Sequence, residues 1–269
     1  MLKSDELINK LTEEFKNNPS VIAFTLVGSQ ARNDIYKATK HSDMEAYIIT
    51  QDEDAEKVEQ ELSGLVRKFS NVLFSFKHQI GFIAVYEDLF RLELPVIKQS
   101  GMESLFTRPK AQIVQVLIDK TNGELEKVLA NRPETTNYAE LFEDKVINFW
   151  YWQILAVQYF KKGEFYNTRA VLGINSSALI KLFELLNDPT ILDLETNKRI
   201  EQFLTEEQLA LLKETSPSYN QEQIKQALSR IMDIFPNAIR TVKDKYGYSY
   251  DESIEGQVKP KLVQLLDRD

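Results

Sequence analysis

The sequence contains no cysteine among its 269 residues. Disulfide scaffolds, thiolate zinc sites and cysteine nucleophiles are therefore excluded. Basic residues are also in the minority, since 33 lysines and arginines stand against 41 aspartates and glutamates and leave a net charge of −8. Domains that hold nucleic acid through its phosphates usually carry a net basic face. We therefore expect a small or cationic partner and no nucleic acid.

Long apolar runs are missing as well. The most apolar stretch, 146–160, is about 15 residues long, whereas a membrane span needs about 20, and Asn148, Gln153 and Gln158 interrupt it. A buried helix is the simpler interpretation. Residues 1–15 show the apolar spacing of an amphipathic helix and lack the apolar core of a signal peptide. We expect a cytoplasmic protein that has no membrane partner.

The two halves of the chain follow different patterns. Strand patterns separated by one clear helix fill the first half, over 21–27, 43–50, 72–76, 82–86, 91–97 and 113–118. Helical patterns fill the second half, over 138–162, 165–187, 198–214, 220–245 and 253–267, with Pro236 expected to kink or break the fourth. The composition changes near Pro133. The sequence thus predicts an α+β protein, with a mixed-sheet catalytic domain at 1–132 and an all-helical domain for substrate binding or dimerisation at 133–269.

Glycine is scarce, which gives each one more weight. Nine glycines in 269 residues are about 3%, against the usual 7% or so. Gly28 ends a buried strand and precedes Ser29, a pattern that suits a tight turn whose N–H groups and hydroxyl face a phosphate. An ordinary turn at the end of a strand is the alternative.

Two carboxylates share one face of the second strand. Asp43 and Glu45 stand two residues apart, so their side chains point the same way, and apolar residues flank them. Two such charges about 5 Å apart repel by roughly 3 kcal/mol at an effective dielectric of about 20. A divalent metal such as Mg²⁺, which prefers oxygen ligands, would relieve that repulsion. A solvated edge strand is the alternative.

A third carboxylate, Glu93, lies in a later strand on the same side as Arg91. If this strand neighbours the second, Glu93 can join Asp43 and Glu45 around a metal, or take a proton from an attacking hydroxyl. A structural glutamate in an edge strand is the alternative.

Together these patches resemble the polymerase-beta-like nucleotidyltransferase superfamily, whose pattern is hG[GS], then Dh[DE]h, then a third acid. Within it the chain is similar to bacterial antibiotic nucleotidyltransferases, most of all to the two-domain lincosamide nucleotidyltransferases. The stretches that carry this second likeness are 85–94, 118–125 and 161–165. The loop over 29–42 is instead closer in length to that of the aminoglycoside 6-adenylyltransferases.

The resemblance implies a reaction. A nucleoside monophosphate, AMP from ATP or the equivalent from another NTP, passes to a hydroxyl of a small antibiotic, a lincosamide in preference to an aminoglycoside. It implies that Asp43, Glu45 and Glu93 bind two Mg²⁺ ions, that Glu93 acts as the general base, and that the protein is a homodimer. The Gly28-Ser29 turn would hold the nucleotide's phosphates.

Further residues are candidates for contacts with the two substrates. Arg32 and Arg91 can add positive charge near the phosphates, although a surface ion pair explains either one. Glu164, Tyr166 and His41 can contact the acceptor, which we expect between the two domains. Two other functions stay open: a nucleotidyltransferase of toxin–antitoxin type that modifies protein or tRNA, and a silent relative that only binds nucleotide.

Overall fold

A computed structural model of the chain describes residues 3–31, 38–39, 41–79, 81–194 and 200–267. Contacts divide the chain into two compact units, Met1–Glu134 and Thr135–Asp269. A mixed β-sheet forms the first unit together with short helices, and helices form the second. The α+β fold class expected from the sequence is confirmed. The assignment of separate catalytic and substrate-binding roles to 1–132 and 133–269 remains a proposal.

The amino-terminal unit is built on one sheet, which has seven strands in the described part of the chain. Its helices and strands follow in the order α1 (Lys3–Asn17), β1 (Val21–Val27), β2 (Met44–Thr50), α2 (Ala55–Arg67), β3 (Val72–His78), β4 (Gly81–Tyr86), β5 (Arg91–Leu94), β6 (Val96–Lys98), α3 (Met102–Leu105), β7 (Gln115–Asp119) and α4 (Glu124–Ala130). The strand order in space is β3-β4-β5-β2-β1-β7, and β6 also pairs with β2.

The strand predicted over 91–97 is divided in two at Pro95, because proline has no N–H to donate to a ladder. Both halves, β5 and β6, still run parallel to β2. The Pro95 carbonyl accepts from the Ile48 N–H at 3.0 Å and so keeps the connection beside β2. The remaining pairs of strands in the sheet are antiparallel.

The two faces of the sheet have different covers. On one face Met44, Ala46 and Ile48 of β2 belong to a core that also contains apolar residues of α1 and α2. On the other face Ile49 packs with residues of α3 and α4. Because side chains alternate along a strand, Glu45 lies on the face of Ile49. The carboxylates are thus kept off the larger core.

The carboxy-terminal unit is helical in every described element. Its helices are α5 (Tyr138–Lys161), α6 (Phe165–Asn187), α7 (Ile200–Phe203), α8 (Glu206–Glu214), α9 (Gln221–Tyr246) and α10 (Ser253–Asp267). Their core includes Phe149 stacked on Phe235, with the ring centroids 3.7 Å apart. Of the two effects expected of Pro236, a break does not occur, since α9 continues through it. The helix predicted over 198–214 is divided instead, because Thr205 forms a capping box that starts α8.

One described helix, α6, has the length and mean hydropathy to cross a membrane. Within its most apolar window 44% of the positions are buried inside the protein. Leu172, Leu179 and Leu182 of this helix are completely or almost completely buried in the helical core. We therefore describe α6 as a core helix.

Candidate active site

The fold brings the carboxylate pair of the second strand, Asp43 and Glu45, next to the third carboxylate, Glu93. β2 and β5 are parallel neighbours, and Glu45 is the direct register partner of Glu93. Asp43 immediately precedes β2, two residues from Glu45. The adjacency on which a joint role for the three carboxylates depends is thus present.

Arg91 holds two of these carboxylates. Its Nε atom lies 2.9 Å from Oε1 of Glu93, and an Nη atom forms an ion pair with the Asp43 carboxylate. The exposed fractions of the side chains are 51% for Arg91, 28% for Asp43 and 14% for Glu93. A half-exposed guanidinium therefore neutralises part of the negative charge at the edge of the cluster.

The surroundings of Glu45 disfavour its ionised form. Burial raises the pKa of its carboxyl, and the neighbouring Glu93 and Asp43 raise it further. The Tyr47 hydroxyl, which donates to Oε1 of Glu45 at 3.3 Å, opposes that shift. Burial, with a smaller contribution from Glu45, in turn raises the pKa of Tyr47 to about 12. Added positive charge is therefore the change that would favour ionised Glu45.

The turn after β1 lies beside the same cluster. Val27, the last residue of β1, is the register partner of Glu45. Gly28 follows with a φ of +63°, a conformation that glycine adopts without the clash a side chain would meet. A Cβ atom at this position would stand 3.7 Å from Oε2 of Glu45. The Gly28-Ser29 backbone thus approaches the carboxylates closely, as a turn shared by phosphate and metal requires.

The sequence patterns did not identify three further residues at this site. Tyr47 follows Glu45 by two residues, so alternation along the strand puts both side chains on one face. This residue could therefore have been predicted from the sequence. Gln30 donates from Nε2 to the Asp43 carbonyl at 3.2 Å and so ties the glycine turn to the start of β2. The positive charge of Arg108 opposes the rise in the pKa of Glu45 and of Tyr47.

The segment that carries Arg108 is fixed by Arg132, a nearly buried residue. Nε of Arg132 donates to the Arg108 carbonyl at 2.9 Å. One of its Nη atoms also donates to the carbonyls of Pro109 and Gln112. One arginine therefore shapes the loop that brings a second arginine's charge to the site, a long-range relation that no local pattern reveals.

The other predicted residues have different settings. Arg32 lies outside the described residues. His41 is exposed, and its N–H donates to the Thr39 hydroxyl at 3.2 Å. Glu164 precedes α6 and accepts from the Asn167 amide at 2.8 Å, while Tyr166 is 75% exposed. The last two belong to the helical unit.

The donor set fits a hard divalent metal in kind, since carboxylate oxygens are the ligands that Mg²⁺ prefers. The described residues include no group of three acidic, histidine or cysteine side chains that is already arranged around one point. The Arg91 guanidinium instead takes up the charge of Asp43 and Glu93. Metal binding at these carboxylates therefore requires that this ion pair open.

A family model and several solved structures match the chain. A family model described as streptomycin adenylyltransferase matches residues 1–263. The structure is similar to that of an aminoglycoside 6-adenyltransferase from Bacillus subtilis, with 14% sequence identity, a TM-score of 0.45 and 100% of both chains covered. A nucleotidyltransferase-like protein from Exiguobacterium sibiricum is 13% identical, with a TM-score of 0.38 and coverage of 98% of this chain and 89% of that one.

A CCA-adding enzyme in complex with CTP is also similar, with 13% identity, a TM-score of 0.38 and coverage of 100% of this chain and 91% of that one. No curated protein matches the chain significantly. The special likeness to lincosamide nucleotidyltransferases is not confirmed by any of these comparisons.

Proposed function

Because the chain belongs to the streptomycin adenylyltransferase family and is a nucleotidyltransferase, we propose that it transfers AMP from ATP to a hydroxyl of an aminoglycoside antibiotic and releases pyrophosphate. The observation that carries this proposal is the register of β1, β2 and β5. It sets Glu45 beside Glu93 on one side and beside the Gly28 turn on the other. A nucleotide's phosphates and an attacking hydroxyl can then meet above one row of side chains.

Each residue of the row has a separate role. Glu93 accepts the proton of the attacking hydroxyl, and its low exposure of 14% limits competition from water. Asp43 and Glu45 would hold Mg²⁺ together with Glu93, and the bound metal would neutralise the triphosphate and stabilise charge in the transition state. The N–H groups and hydroxyl of Gly28-Ser29 bind the β- and γ-phosphate oxygens.

Arg91 changes partner during the reaction cycle. In the free protein it is paired with Asp43 and Glu93. Once cations arrive with the nucleotide, its guanidinium is released from these carboxylates and becomes available to a phosphate oxygen. Arginine suits both partners, since its planar donors match carboxylate and phosphate alike.

The class of acceptor is proposed from the family and from the resemblance. The family description favours an aminoglycoside, and the resemblance of 85–94 and 161–165 supports a lincosamide as a second candidate. Glu164, Tyr166 and His41 are offered as acceptor contacts, in which a carboxylate meets an ammonium group and an aromatic ring meets a sugar face. We also propose a homodimer, which light scattering on the purified protein would test.

A transfer assay tests the proposed function. The purified protein is incubated with Mg²⁺ and ATP, and separately with GTP, together with streptomycin, other aminoglycosides or lincosamides. Mass spectrometry then measures any nucleotide adduct on the drug. We expect an AMP adduct on an aminoglycoside, lost in Asp43→Asn, and a fall in kcat of about 10²–10⁴ in Glu93→Gln. Glu59→Gln, on α2 and paired with Lys77, is the matched control and should keep full activity.

Other results would favour the alternatives. Absence of any drug adduct in both classes would contradict the proposal. Labelling of RNA or protein would favour a nucleotidyltransferase of toxin–antitoxin type. Nucleotide binding without any transfer would favour a silent relative.

A further inference from the structure

Two phenylalanines of β3 are exposed on the sheet. Phe74 is 48% and Phe76 is 43% exposed. Their rings are stacked, with centroids 6.1 Å apart and an interplanar angle of 25°, and the His78 ring meets Phe76 edge-on at 6.1 Å. Large apolar side chains gathered on a surface usually mark a site of interaction. These rings lie on the end strand of the sheet.

The opposite side of β3 is occupied by α2, which explains why the rings are left outside. Ser75 shares a hydrogen bond with Ser63 at 3.2 Å, and Lys77 is paired with Glu59. Because side chains alternate along the strand, Phe74 and Phe76 must point away from α2. They therefore lie on the sheet face that carries the carboxylates.

Strand register connects the rings directly to the candidate active site. Phe76 pairs with Ile83, Ile83 pairs with Glu93, and Glu93 pairs with Glu45. In the next row Phe74 pairs with Val85, which pairs with Arg91. Two strand spacings separate the Cα atoms of Phe76 and Glu93, a distance of about 10 Å. That distance is within the span of one small molecule.

The chemistry of transfer decides which molecule uses this surface. The attacking and leaving oxygens must lie roughly in line on opposite sides of the transferred phosphorus. The turn proposed to hold the leaving pyrophosphate, Gly28-Ser29, is at the β1 end of the row. The attacking hydroxyl must then approach from the β5 side, where β4 and β3 continue the sheet.

We infer that Phe74, Phe76, Ile83 and Val85, named here the aromatic platform, form the subsite for the acceptor. The platform would bind the part of the acceptor that is remote from the reacting hydroxyl. This inference rests on the proposed function. The ligand class is an amine-bearing, polyhydroxylated ring system, whose C–H face packs on the phenyl rings. Its ammonium groups interact with the ring faces and with the adjacent carboxylates.

The platform complements such a ligand in both polarity and charge. Ile83 is 7% exposed and supports the rings from the neighbouring strand. Next to it, Asp43, Glu45 and Glu93 carry three carboxylates, against the two positive charges of Arg91 and Arg108. An apolar surface beside an excess of negative charge suits a cation with an apolar face better than it suits another anionic or purely apolar molecule.

Calorimetric binding of streptomycin, measured in the presence of Mg²⁺ and a non-hydrolysable ATP analogue, tests the inference. We expect Phe76→Ala to weaken streptomycin binding about tenfold, and Phe74→Ala to weaken it less. Phe76→Tyr should restore most of the affinity. Affinity for the ATP analogue should stay unchanged in all three variants. Ser75→Ala is the matched control, because Ser75 lies between the two rings on the same strand but faces α2, where its hydroxyl shares a hydrogen bond with Ser63.

Three outcomes would overturn the inference. The first is wild-type affinity for streptomycin in Phe76→Ala and in the double variant of Phe74 and Phe76. The second is a change from dimer to monomer in Phe76→Ala by light scattering, which would assign the rings to an interface between copies. The third is a wild-type protein that binds the ATP analogue but no aminoglycoside. In that last case the proposed nucleotide site survives while the acceptor subsite does not.

Discussion

Arg91 gives the sharpest test of the carboxylate cluster. In Arg91→Met, the ion pairs with Asp43 and Glu93 are lost while an unbranched apolar side chain replaces the aliphatic stem of the arginine. Because the guanidinium is 51% exposed, solvent screens both pairs, and each contributes at most about 0.5 kcal/mol. We expect the free energy of unfolding to fall by about 1 kcal/mol when divalent metal is absent.

The same substitution should have the opposite effect on metal binding. In the wild type, Mg²⁺ has to open the pairs that hold Asp43 and Glu93, and in the variant it does not. A competing interaction of about 1 kcal/mol corresponds to about fivefold in affinity. Arg91→Met should therefore bind Mg²⁺, or Mn²⁺ as a spectroscopic substitute, about fivefold more tightly. Saturating Mg²⁺ should abolish its deficit in stability.

Urea unfolding with EDTA and with Mg²⁺ measures the first effect, and Mn²⁺ electron paramagnetic resonance measures the second. Lys77→Met is the control, since it removes the pair with Glu59 at 2.5 Å, which lies on α2 outside the site. Its deficit in stability relative to the wild type should be the same with and without metal. If Arg91→Met bound Mn²⁺ no better than the wild type, the view that the arginine competes with metal would be refuted.

Three other substitutions test separate parts of the structure. Gly28→Ala puts a side chain at a φ of +63° and should cost about 1–2 kcal/mol in urea unfolding, together with weaker ATP binding. Arg132→Ala removes the donor of three carbonyls around Arg108. The free energy of unfolding should fall by about 1–3 kcal/mol, and the KM for ATP should rise. An unchanged KM would exclude a role for that loop. Glu184→Gln concerns a fully buried carboxyl whose pKa is raised by burial, although Lys181 lies 2.8 Å away. A carboxyl whose pKa is raised in the folded state makes the protein less stable as the pH rises through that pKa. Glu184→Gln should therefore be more stable than the wild type at neutral pH. Below pH 4.5, the ordinary pKa of the carboxyl, the variant should show no such gain.

The bounds of an element could be predicted from the sequence where its apolar residues follow a single strand or helix pattern. The bounds of β1 and α6 agree with the predicted 21–27 and 165–187, because an unbroken apolar run and a long helical period leave little choice. The proximity of Glu93 to Glu45 was only conditional in the sequence, since strand order is a long-range property. Resemblance to a known family supplied the expectation, and the parallel pairing of β2 with β5 realises it.

Elsewhere tertiary contacts prevailed over local rules. Pro236 is buried within α9, and apolar residues on either side of it pack in the helical core, which favours a continuous helix over the local effect of proline. The loop from 106 to 114 is shaped by Arg132, some 20 residues away in sequence, and the positive charge of Arg108 reaches Glu45 only through it. The aromatic platform was similarly invisible, because Phe74 and Phe76 alternate with polar residues as in any half-buried strand.

Several features that reduce stability in the amino-terminal unit occur in two neighbouring rows across the sheet. Gly28 needs a positive φ, Glu45 is buried beside other carboxylates, and Phe74 and Phe76 expose apolar rings to water. Sites that break the usual rules of folding are commonly the functional ones. Under the proposed function, each of these costs would be offset by a different ligand group: phosphate at the turn, cations at the carboxylates, and an apolar ring face at the platform. Because a ligand that binds only the folded state stabilises it, the thermal midpoint should rise further with Mg²⁺, ATP analogue and aminoglycoside together than with any one of them alone.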